Sequence, residues 1–170
     1  MVVLRRAKGP RPLVPDLHLP LRESIDYVEG FQDLARLGVE IHRSGPTLPL
    51  LLRKAVLELR VGSYAAASDA ASDALVCNDQ CAEAHWLHAL ALLGLCLVDL
   101  GLLTEGPGEP PARSGAPVLA RLEAAWRSLV ECVRLSGGDQ EAATLLAYVE
   151  TVLAARPPRR RLPHLLRPLA

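Results

Sequence analysis

Apolar residues return at three- and four-residue steps along most of this chain. After Ser24 come Ile25, Val28, Phe31, Leu34, Ala35 and Val39. That spacing predicts a helix over 22–44 with one apolar face. Ser24 has an N-cap side chain, and Ser44, Gly45 and Pro46 supply the stop. A second helix is predicted over 48–61, ended by Gly62, and a third, rich in Ala and Ser, over 64–77. The longest runs from Ala82 to about Leu103. Its most apolar part, 86–98, is 13 residues long. A bilayer span needs ~20 residues, and His88 interrupts this run, so the pattern reads as a buried helix. A fifth helix is expected over 118–135, closed by Gly137 and Gly138. Asp139 caps a sixth that runs to about Ala155, where Pro157 and Pro158 end it.

Between the fourth and fifth helices the composition changes. Residues 105–117 hold four prolines and three glycines, which excludes helix or sheet and predicts a loop. Residues 1–20 carry Pro10, Pro12, Pro15 and Pro20, a spacing no helix survives. The expected organisation is a tail over 1–20, a helical domain over 21–155 and a second tail over 156–170.

Helices of similar length in pairs call for a search for internal period, and one exists at 34 residues. Leu48 opens one unit, with Ala55, Gly62, Tyr64, Ala67 and Ala74 along it. Ala82 opens the next, with Ala89 aligned to Ala55. Gln140 opens a third, and counting back from it aligns Ala125 with Ala67 and Cys132 with Ala74. On these residues the chain resembles the tetratricopeptide repeat over 48–155. The resemblance implies an all-α fold of about six helices in antiparallel pairs, a fragment of an α-solenoid. It assigns Ala55, Ala67, Ala74, Ala89, Ala125 and Cys132 to close helix crossings. The units are then 48–81, an interrupted 82–138 with its loop over 104–117, and a closing helix over 139–155, with 22–44 as the front cap. The pattern departs from the family's in two ways. Asp79 and Gly137 stand where a proline is usual, and Leu51 and His85 stand where a tryptophan is usual, although Trp86 lies next door.

The resemblance also implies a concave face lined by the first helix of each unit. Here that means Leu52, Val56 and Leu59, then Trp86, Leu90 and Leu93, then Thr144, Tyr148 and Thr151. Relatives that clamp the acidic carboxyl termini of chaperones use Lys, Asn and Arg there. This chain has none at those positions, so a chaperone carboxylate clamp is not expected.

Composition agrees with helices. Half of the residues are hydrophobic but only 4% are aromatic, and Phe31 is the single phenylalanine. Leu and Ala favour helix over an all-β architecture. The formal net charge is zero, which disfavours a globally basic nucleic-acid binder. It is unevenly spread, however. Arg5, Arg6, Lys8 and Arg11 face one acid before residue 17, and Arg156, Arg159, Arg160, Arg161 and Arg167 face none, leaving 10 basic and 18 acidic residues between. An acidic body with two basic, proline-bearing arms is expected. Such arms read as interaction segments, nuclear address signals or anion-binding patches.

The four cysteines, Cys77, Cys81, Cys96 and Cys132, come without a secretory pattern at the amino end, so a reducing, cytoplasmic or nuclear setting is expected rather than a disulfide framework. Pro10, Pro12 and Pro15 oppose the amphipathic helix of a mitochondrial presequence. Cys77, Cys81, His85 and His88 put four metal-ligand types within 12 residues. Their spacing is not that of zinc fingers, which place a loop between ligand pairs, so packing and helix-end roles are expected and no metal or cofactor. No nucleophile elbow or glycine-rich phosphate loop occurs, and Asp69 with Asp73 has no assignable base or metal partner. An enzyme is therefore not expected. The leading reading is a non-catalytic adaptor that holds a protein segment in an apolar groove, without a membrane. Its competitor is an accessory protein that binds nucleic acid or anions through the arginine-rich arms. Ionic strength separates the two, because only arm-mediated binding weakens steeply with salt.

Overall fold

The computed structural model describes residues 27–100 and 118–155. Ser24, the insertion over 104–117 and the basic residues Arg5, Arg6, Lys8, Arg159, Arg160 and Arg161 lie outside the described residues. Among those described there are six helices and no strand: α1 (Tyr27–Ser44), α2 (Leu48–Arg60), α3 (Tyr64–Cys77), α4 (Ala82–Asp99), α5 (Val118–Ser136) and α6 (Gln140–Ala154). The predicted boundaries of α2, α3 and α5 hold to within one residue. The fourth helix is shorter than the predicted 82–103, because Asp99 is its last helical residue and Leu100 its cap.

Local chemistry accounts for the ends. Pro49 sits in the first turn of α2, where its missing N–H removes no intrahelical bond. Gly62 reverses the chain between α2 and α3 with a φ of 79°, a backbone conformation that a Cβ would strain. The Asp139 carboxylate accepts from the backbone N–H of Glu141 at 2.8 Å and of Ala142 at 3.1 Å, capping α6 as its sequence position predicts.

Each helix packs on its neighbours in sequence, and α2 also meets α4. Side-chain pairs give the directions. Arg121 near the start of α5 pairs with Asp99 at the end of α4, while Ser128 farther along α5 bonds His88 farther back on α4. Contacts that move opposite ways along two helices mean antiparallel packing. Tyr64 at the start of α3 lies against Gly94 near the end of α4, so α3 and α4 are antiparallel too.

The core is built from small side chains. Ala55, Ala67, Ala71, Ala74, Ala89 and Ala125 are fully enclosed, and Cys132 is buried with them. Such residues let helix axes approach while Leu59, Leu87, Leu90, Leu129 and Leu145 fill the remaining space. α4 carries the most buried positions and packs against α2, α3 and α5. By length and composition alone it could cross a membrane, with half of its 18-residue window buried inside the fold. A helix apolar on all sides needs partners on all sides, and here it has three.

α1 departs from its predicted face. Gly30 and Leu37 are the buried positions, with Leu34 and Ile41 half-buried. Phe31, Ala35 and Val39, expected on the buried side with Val28, are exposed. The apolar residues of α1 cover two adjacent faces, and packing on α2 encloses only one of them.

Candidate functional site

The residues expected to line a concave face lie on α2, α4 and α6 and divide by depth. Leu52, Val56, Trp86 and Leu93 are half-buried and rest on the main core cluster. Leu59 and Leu90 belong to that cluster, 4% and 6% exposed. Those two are therefore core residues rather than groove lining. On α2 and on α4 one of the three positions is enclosed by neighbouring helices, and on α6 none is. Tyr148 is half-buried on α6, while Thr144 and Thr151 are exposed. Both threonine hydroxyls donate back to their own helix, to Gln140 O at 2.7 Å and Ala147 O at 2.9 Å. What remains half-buried at these positions, besides Tyr148, is Leu52 and Val56 on α2 and Trp86 and Leu93 on α4, two helices that touch.

A polar seam that no local sequence pattern announces runs between α4 and α5. His88 Nδ1 lies 2.9 Å from Ser128 Oγ. Burial lowers the His88 pKa below that of a free histidine, and nearby His85 lowers it further. Ser128 is itself buried, which closes it to an incoming substrate. At the other end of the seam Arg121 is buried and pairs with the carboxylate of Asp99. The Cys96 thiol donates to Val118 O at 3.6 Å. Its pKa is pushed up to about 11, by burial first, with Arg121 opposing and Asp99 adding. Burial also raises Cys132, with help from Asp139. Neither thiol is an activated nucleophile.

The Cys and His residues near the α3–α4 turn do not converge. Cys77 ends α3 and is exposed, and Cys81 sits at the N-cap of α4. The His85 Nε2–H donates to Asp79 O at 2.9 Å, leaving Nδ1 buried without a partner. Among the described residues no group of three or more His, Cys, Asp or Glu side chains is placed to hold a metal ion.

Sequence reasoning missed Gly94, Ser128 and Arg121. Their partners Tyr64, His88 and Asp99 lie 30, 40 and 22 residues away along the chain, and nothing in the spacing marks them. A glycine inside an apolar helix was the one available signal, since it usually has a packing reason. Comparison of the chain with protein-family models, curated proteins and solved structures gives no match.

Proposed function

We propose that this protein is a non-catalytic interaction scaffold of tetratricopeptide-like construction, which holds a protein segment against the apolar patch of α2 and α4. The observation that carries this reading is the partial exposure of Leu52, Val56, Trp86 and Leu93 on two helices in contact. Tryptophan provides a large desolvated area with few rotors, which makes it the strongest anchor of the four. An amphipathic helix or an apolar extended segment fits such a surface. The patch itself has no charged member, so neither a carboxylate clamp nor a phosphate site is part of the proposal.

Trp86→Ala tests it. The expected result is a modest loss of thermal stability, below the ~3–5 kcal/mol of a fully enclosed tryptophan, together with loss of the partners that copurify with the wild-type chain. Those partners are expected to stay bound as salt rises. Unchanged recovery with Trp86→Ala, combined with release by salt, transfers the function to the arginine-rich arms.

A further inference from the structure

The open side of α2 carries charge beside its apolar residues. At ~100° per residue, Leu52, Val56, Pro49, Arg60 and Arg53 follow one another across about 100° of the helix circumference. Leu52 and Val56, at one end of this arc, are half-buried, while Pro49, Arg60 and Arg53 are exposed. Glu58 is the only acid of α2 and falls outside the arc. Arg53 reaches Glu40 of α1 only at 3.9 Å, with both side chains more than half exposed, so water screens that pair. The Arg60 guanidinium has no hydrogen bond or ion pair among the described residues.

The stretch that follows α2 has the opposite sign. Residues 61–100 contain no Lys or Arg, but they include Asp69, Asp73, Asp79, Glu83 and Asp99. Exposed Glu83 stands one turn before Trp86 on α4. The half-buried apolar residues therefore have cations beside them on α2 and an anion beside them on α4. Oriented charge of this kind selects the partner and fixes its register more than it adds affinity. Both ends of the chain are basic, so like charge disfavours them as occupants of this face.

We propose that the segment held by α2 and α4 is an amphipathic helix of another protein, with Asp or Glu along the edge that lies over Arg53 and Arg60 and no acid on the edge toward Glu83. This rests on the scaffold reading above and names the chemistry of its partner. Arg53 and Arg60 are seven residues, or about 10.5 Å, apart along α2. Acids seven residues apart on a partner helix match that step.

Two labelled helical peptides about 18 residues long test it, each with one Leu and Trp face and four charges along a single edge. One carries Glu and the other Lys, and fluorescence anisotropy reads their binding to the full chain. The Glu peptide should bind about tenfold more tightly at low salt. Added salt should narrow the preference and leave both peptides bound. Arg53→Glu with Arg60→Glu should invert the preference, which a merely unfolded chain cannot do, and circular dichroism checks that the helices persist. Trp86→Ala should weaken both peptides. Equal binding of the two, both weakened by Trp86→Ala, overturns this inference and leaves the scaffold reading standing. No binding, or binding indifferent to Trp86→Ala, overturns both. A preference for Glu that survives the double arginine replacement overturns the inference in favour of other basic residues. Affinity that falls as the chain is concentrated overturns it in favour of a second copy covering the face.

Discussion

Gly94 is the residue where close packing is least forgiving. A Cβ there would clash with the ring of Tyr64, which is itself buried. Gly94→Ala gains helix propensity of up to ~1 kcal/mol, yet overpacking against a rigid ring costs ~1–3 kcal/mol. Net destabilisation is expected, read as a lower Tm, whereas the same change at Gly38, with open space around it, should raise the Tm. His88 yields a pH dependence. Its pKa in the fold lies below the unfolded value, so the unfolded chain binds the extra proton. The stability contributed by neutral His88 is complete above pH ~6.5 and is lost as pH falls from there through the lowered pKa. The slope is at most ~1.4 kcal/mol per pH unit for one proton. Denaturant titrations from pH 7 to 5.5 should show it, and His88→Gln should flatten it.

The helices owe their positions to what they pack against as much as to their own periodicity. α3 has almost no amphipathic pattern, being Ala and Ser for most of its length, and it is held because its alanines seat it closely between α2 and α4. The α4–α5 pair is tied by polar contacts as well as apolar ones. Asp99→Asn leaves the buried Arg121 without its carboxylate. Removing one member of a fully buried pair costs ~3–5 kcal/mol. Asp99 is 37% exposed, so water shares the load and a loss of ~1–3 kcal/mol is expected, measured by chemical denaturation. Arg121→Met, which removes the buried charge itself, should cost less than Asp99→Asn.

For the molecule as a whole, antiparallel packing brings the end of α4 beside the start of α5. Replacing residues 105–117 by a shorter flexible linker should change stability by less than ~1 kcal/mol, since halving a loop alters its closure entropy by only ~0.6 kcal/mol. A larger loss in thermal denaturation would show that this segment packs on the body. Among the described residues the helical class, the six helices and most of their ends were legible in the primary structure, because three- and four-residue spacing, Gly and Pro stops and the Asp139 cap act within a few residues. The alanines that the repeat resemblance assigned to close crossings, Ala55, Ala67, Ala74, Ala89 and Ala125, are fully enclosed, but no local spacing required it. Depth was not legible. Leu59 and Leu90 have the same local pattern as Leu52 and Trp86, and only the neighbouring helices decide which are enclosed. The face of α1 that is covered, the Gly94–Tyr64 contact and the His88–Ser128 and Arg121–Asp99 pairs likewise depend on residues far apart along the chain. Local periodicity tells which faces are apolar, and tertiary packing selects which of them lose their water.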